Sequence, residues 1–67
     1  MKAHIITIGD EILIGQIINS NAAWIGEKLS EININVGSTS VVGDDVKQII
    51  QEFQRTYDSN DIVIVTG

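Results

Sequence analysis

Two short, nearly unbroken apolar runs constrain this chain more than any other feature. Ala3 to Ile8 lies near its start and Ile62-Val63-Ile64-Val65 near its end. Both are rich in β-branched residues, which favour extended backbone. A strand with one wet face alternates apolar and polar side chains; these runs do not. Each therefore reads as a strand covered on both faces, as in a parallel sheet. The expected strands are Ala3 to Ile8 and Asp61 to Thr66. Between them Asn35 to Val42 forms a weaker strand, and its Ser38, Thr39 and Ser40 mark it as an edge.

The connecting segments carry helical spacing. Ala22, Ile25, Leu29 and Ile32 follow Ser20-Asn21, either of which can cap a helix. Asn33 sits where this helix should stop, and asparagine tolerates the left-handed conformation used there. A second helix is expected from Asp44-Asp45 onward, because Asp45 and Gln48 have capping-box spacing. Val46, Ile49, Ile50, Phe53 and Tyr57 would form its buried stripe, and Asp58-Ser59-Asn60 a turn. The order β-α-β-α-β implies parallel strands with right-handed crossovers. Of the spatial orders 2-1-3 and 3-2-1, the first keeps the two apolar strands adjacent. It puts one helix on each face and opens a crevice at the carboxyl ends of the first and third strands.

Ile12 to Ser20 is longer than the ~2–6 residues usual between a strand and a helix. Its Ile12, Leu13, Ile14, Ile17 and Ile18 surround Gly15, as either a short helix or a folded loop. That apolar content is expected to pack against something, either another subunit or the remainder of the protein, and a homo-oligomer is expected. At 67 residues the chain holds one domain at most. It is read as the N-terminal part of a single domain, residues 1–67, cut after its third strand.

Charge narrows the function. Nine acids against four bases give a net charge of −5. Lys2, Lys28, Lys47 and Arg55 are scattered, so no basic stripe exists to neutralise a nucleic-acid backbone. No run approaches the ~20 apolar residues of a membrane span. The absence of cysteine fits a reducing cytoplasm and rules out disulfides and thiolate metal sites.

Candidate chemistry gathers at strand ends. Gly9-Asp10-Glu11 follows the first strand, where glycine permits a sharp turn. Carboxylates there can hold a divalent cation through oxygen ligands or act as general base. The bland alternative is a solvated acidic turn. In Val42-Gly43-Asp44-Asp45, Asp45 serves the helix dipole, while Asp44 either does the same or points at the crevice. Asn19-Ser20-Asn21 is a cap whose helix N-terminus would also offer amides to phosphate. Thr66-Gly67 is either an ordinary strand end or a place of close ligand approach. His4 has no second histidine or cysteine, so a structural role is expected. Trp24 lies off the first helix's apolar stripe, and Lys28 one turn on can cover its face. No G-x-G-x-x-G follows the first strand and no Walker A is present. A phospho-acceptor receiver would need an aspartate where Thr66 stands.

Five blocks in order carry a family resemblance: Ile8-Gly9-Asp10-Glu11-Ile12-Leu13, Gly15-Gln16-Ile17, Asn19-Ser20-Asn21, Val42-Gly43-Asp44-Asp45 and Ile62-Val63-Ile64-Val65-Thr66-Gly67. Together they resemble the molybdopterin-binding-like domain of the competence/damage-inducible protein CinA, MogA, MoaB and gephyrin, and the CinA branch most. The resemblance implies a three-layer α/β/α sandwich of the molybdenum cofactor biosynthesis type, with sheet order beginning 2-1-3. In the CinA branch it implies a metal-dependent ADP-ribose pyrophosphatase of pyridine nucleotide metabolism, with a separate nicotinamide mononucleotide deamidase domain in some members. In the other branches it implies molybdopterin binding. Carried onto this chain, Asp44 and Glu11 become the expected catalytic residues. Gly9, Asp10, Asn21, Thr66 and Gly67 are expected to bind substrate, a nucleotide or a pterin. Asp10, Glu11 and Asp44 are the expected ligands of a divalent metal ion such as magnesium. Two departures stand out. Asn19 replaces the family's usual aspartate, and Asn33 its usual glycine.

Overall fold

The structure is a computed structural model describing Met1–Gly67. Its elements are β1 (Lys2–Ile8), α1 (Asp10–Leu13), α2 (Ser20–Glu31), β2 (Asn35–Val42), α3 (Val46–Tyr57) and β3 (Ile62–Thr66). The three strands are parallel in the order β2-β1-β3, the order expected from the apolar pair. β1 is central and its Ala3, Ile5, Ile6 and Thr7 are wholly buried. No helix is long and apolar enough to cross a membrane.

Side chains on β1 alternate between the two faces. Thr7 meets Asn19, at the start of α2. His4 meets Ser38 and Ser40 and lies near Glu52 of α3. Positions 4 and 7 differ in parity, so α2 and α3 cover opposite faces and the sheet is the middle of three layers. Register between β1 and β2 shifts between Ala3 and His4: Ala3 pairs Val36, whereas His4 pairs Ser38. Gly37 is the extra residue. Val36, on the α2 side, approaches Gly26 of that helix. Past the bulge the alternation flips, which turns Ser38 and Ser40 toward α3.

Several local expectations are corrected. The cap of α2 is Asn19, whose side chain accepts from the Ala22 amide; neither Ser20 nor Asn21 does this. Helix α3 is capped by Asp45, but Gln48 does not reach back to it. Its Oε1 accepts instead from the Gly43 amide at 3.2 Å. The expected buried stripe of α3 is largely exposed at Val46, Ile50, Phe53 and Tyr57, while the buried residue is Thr56. The sheet is narrow, so it shields only the middle line of that helix. Val65 of β3 and Ile32 after α2 are exposed for the same reason. Asn33 does adopt the left-handed conformation, with φ 64°. The Ile12–Ser20 segment begins as the end of α1 and continues as irregular chain. Leu13, Ile14, Ile17 and Ile18 are all exposed.

Candidate functional site

The carboxyl ends of the strands gather most of the expected site residues. The Gly9 amide donates to the Val42 carbonyl at 3.0 Å, extending the β1–β2 ladder one step past the strands. Gly9 is buried, and a Cβ built on it would lie 3.0 Å from Glu11 Oε1. The Glu11 carboxylate therefore folds back over the end of β1, in space that any side chain at position 9 would contest.

Asp10 reaches the other way. Its Oδ1 accepts from the Asp44 amide at 3.1 Å, bridging the loops after β1 and β2. Gly43 makes this possible: a Cβ there would stand 2.7 Å from Asp10 Oδ1. Asp44 itself is exposed. On the α2 side, Asn19 Nδ2 donates to Thr7 Oγ1 at 3.0 Å. That clamp sets the first turn of α2, which carries Asn21, beside the end of β1. Thr66 pairs with Thr7 across the sheet, so β3 brings Thr66 and Gly67 to the same rim. The rim thus has an acidic flank, Asp10, Glu11 and Asp44, and a neutral flank, Asn21, Thr66 and Gly67.

The rim is an open shelf. The largest concavity, about 440 Å³, lies at the amino end of β3 and is lined by Phe53, Tyr57, Asp58, Asn60, Asp61 and Val63. The convergence of the acidic loops marks the site better than the depth of that hollow. Nowhere in the 67 residues do three or more His, Cys, Asp or Glu side chains gather closely enough to hold a metal ion. Asp10, Glu11 and Asp44 share the rim without converging on one point, so they do not by themselves fit a resident cation.

A second polar assembly, unexpected from the sequence, lies under α3. His4 is buried, and its two ring nitrogens bond to Ser38 Oγ at 2.6 Å and Ser40 Oγ at 2.8 Å. Burial holds its pKa below the usual histidine value, partly offset by the Glu52 charge. Arg55 grips both oxygens of Glu52, at 2.7 and 2.6 Å. The two hydrogen bonds from Arg55 are the main reason the Glu52 pKa is held down at about 2. The expectation that His4 is structural agrees with this. The traces in sequence were faint: serines two apart on a strand, and Glu52 and Arg55 one helical turn apart. Lys28 Nζ stands 5.7 Å from the Trp24 ring centre, as their spacing implied.

Residues 4–67 match the family described as "Probable molybdopterin binding domain". The chain belongs to that family. Among curated relatives it is similar to the CinA-like protein of Salinibacter ruber, 48% identical over 67 residues. It is also similar to the CinA-like protein of Frankia casuarinae, 42% identical over 67 residues. Each alignment covers 100% of this chain and 16% of the relative, so the chain spans about a sixth of those proteins. The crystal structure of the protein CinA with unknown function from Thermoplasma acidophilum superposes with a TM-score of 0.94 at 37% identity. It covers 100% of this chain and 41% of that one.

Membership sharpens the reading of Asn19. In this member of the family its carbonyl caps α2 while its amide reaches Thr7. The residue is therefore occupied twice in holding the rim together, as a support for Asn21 and its neighbours.

Proposed function

We propose that this domain, in its intact protein, binds a pyrophosphate-containing nucleotide on the strand-end rim and hydrolyses it, with ADP-ribose as the substrate. The observation that carries the reading is the Asp10–Asp44 bridge, which joins two acidic loops at the place where α/β sheets put their chemistry. The similarity to CinA-like proteins supports it. The reaction needs water to attack phosphorus, the P–O–P bond to break, and a base to take the water's proton. Glu11 and Asp44 are exposed carboxylates suited to that role. Asn21, Thr66 and the backbone at Gly9 and Gly67 are neutral groups suited to hold the ribose and phosphates. Dependence on a divalent metal is part of the proposal for the intact protein. Its ligands would have to include groups besides Asp10, Glu11 and Asp44, and no step here is built on it.

The test is turnover of ADP-ribose to AMP and ribose 5-phosphate by the intact protein, with and without added magnesium. Loss of turnover in Asp44→Ala and Glu11→Ala is expected. Full activity in both variants overturns the assignment.

A second reading has its own observation, the family match itself: the rim binds a pterin for molybdenum cofactor synthesis. Competition between molybdopterin and ADP-ribose for the intact protein separates the two. Tight pterin binding with no ADP-ribose turnover favours the second.

A further inference from the structure

Asp44 lies in the linker Gly43-Asp44-Asp45, which joins β2 to α3 and belongs to neither. Gly43 beside it lacks the Cβ that would restrict rotation. Yet both peptide units before the Asp44 Cα are held at each end. In the unit joining Val42 to Gly43, the carbonyl accepts from the Gly9 amide at 3.0 Å, and the Gly43 N–H donates to Gln48 Oε1 at 3.2 Å. In the unit joining Gly43 to Asp44, the carbonyl accepts from the Asp45 amide at 2.9 Å, and the Asp44 N–H donates to Asp10 Oδ1 at 3.1 Å. The bond from Asp45 to Gly43 closes a three-residue turn with Asp44 at its centre. Asn33 is the one non-glycine residue with a positive φ, so this turn has the common inverse form. The exposed Asp44 side chain leaves from its apex.

Two side chains hold these units, Asp10 and Gln48, and the second has had no part in the site. We infer that Gln48 is a positioning residue for Asp44: its Oε1 fixes the Gly43 amide and so sets how the Asp44 carboxylate is presented at the rim. The inference rests on reading Asp44 as a site residue. A backbone N–H can bond only to the oxygen of the Gln48 amide, so the side chain has one orientation. The Asp45 amide, which a capping box would give to Gln48, is taken by the Gly43 carbonyl. Gln48 is thus spent on the linker rather than on its own helix. The fit around Gly43 is close. A Cβ there would stand 2.7 Å from Asp10 Oδ1 and 3.3 Å from Gln48 Oε1, so acceptors from two elements press on one glycine. Gly43 is buried, and its amide left without an acceptor would be costly. Gln48 is exposed and contributes little by burial, which leaves its hydrogen bond as its contribution.

The experiment compares Gln48→Ala and Gln48→Glu with wild type in the intact protein, by hydrogen exchange resolved to single amides and by steady-state turnover of ADP-ribose. Gln48→Ala removes the acceptor; Gln48→Glu keeps one. In Gln48→Ala the Gly43 amide is expected to exchange about tenfold faster, the factor that goes with one lost hydrogen bond. The Asp44 amide is expected to speed up with it, while amides within α3 stay as in wild type. In the same variant kcat is expected to fall roughly tenfold to a hundredfold with KM little changed, because a displaced carboxylate costs rate more than binding. Gln48→Glu is expected to restore both amides and kcat, and to raise KM through its added charge beside an anionic substrate. Gly43 and Asp44 amides that stay protected in Gln48→Ala overturn the inference. So does faster exchange with an unchanged kcat. Faster exchange spread evenly along α3 also overturns it, since Gln48 would then be a support of the helix. If Gln48→Ala fails to fold, Gln48→Lys keeps the stem, offers only donors and reads the same amides. If wild type turns over no ADP-ribose, the proposed activity fails by itself, and the two amides decide the inference.

Discussion

The Asp44 amide donates to the Asp10 carboxylate at 3.1 Å, joining loops that follow two neighbouring strands. Two acids this close in a fold would ordinarily repel. Here one carboxylate is satisfied by the other residue's backbone, and the Asp44 side chain stays exposed to meet a ligand. The contact also explains the small residue between strand and acid. Gly43 leaves room for Asp10 that no other residue would leave.

Substitutions on either side of that contact should separate acceptor from charge. Asp10→Asn keeps an acceptor and should preserve slow exchange of the Asp44 amide. Asp10→Ala should lose it, at a cost on the order of 1 kcal/mol for an exposed charge-assisted bond. Gly43→Ala places a methyl against Asp10 Oδ1 and should expose the Asp44 amide as fully as Asp10→Ala. Hydrogen exchange of the intact protein reads all three, and an unchanged Asp44 amide in Gly43→Ala contradicts this account.

Asn19 should tolerate aspartate but not alanine. Asn19→Ala loses the cap of α2 and the bond to Thr7, and should cost about 1–2 kcal/mol. In Asn19→Asp the carboxylate still caps, and the Thr7 hydroxyl can reverse and donate to it. A negative charge at a helix N-terminus adds about 0.3–1 kcal/mol. Stability of Asn19→Asp should therefore equal or exceed wild type in denaturant unfolding of the intact protein. A loss as large as that of Asn19→Ala would refute the reversible role of Thr7.

Acid should weaken the domain in two windows. Glu52 titrates near 4.5 when unfolded and at about 2 when folded. Between those values the unfolded chain binds more protons, so the stability from Glu52 is present above 4.5 and lost as pH falls toward 2. The pKa of His4 is likewise lowered from 6.5, so its contribution is present above 6.5 and fades as pH falls below it. Melting temperature should decline from neutral pH downward, more steeply below 4.5. Glu52→Gln should flatten the lower window and deepen the upper one, because without the Glu52 charge burial pushes the His4 pKa lower still. Equal slopes in variant and wild type would count against the assignment.

The 67 residues made alone should unfold without a sharp transition. Their buried apolar residues are Ala3, Ile5, Ile6 and Ala22, a thin core beside a wide exposed face on α3. Scanning calorimetry with dye binding tests this, and a cooperative transition would contradict it. In the intact protein Ile5→Ala should cost about 2–5 kcal/mol, since Ile5 is fully enclosed.

Strand identity and order were legible because unbroken β-branched runs carry their own message. Ile5, Ile6 and the Ile62–Val65 run can be satisfied only inside a sheet covered on both sides, and adjacency of the two runs then selects 2-1-3. The strand-end acids were legible for a related reason, since a parallel sheet puts the ends of its strands together. The α3 stripe was misjudged because helical periodicity shows which face is apolar but not how wide a sheet lies beneath it. Phe53 and Tyr57 fall outside the shadow of three strands.

By itself, then, the sequence determined the parallel sheet, its strand order and the family, because these follow from local pattern and ordered motifs. Tertiary structure alone decided that Asp10 serves the Asp44 amide, that Asn19 rather than Ser20 caps α2, and that Ser38 and Ser40 face His4. Each of these depends on a contact between residues distant in sequence. The last depends on a single extra residue at Gly37, whose bulge reverses the alternation of β2 from Ser38 onward.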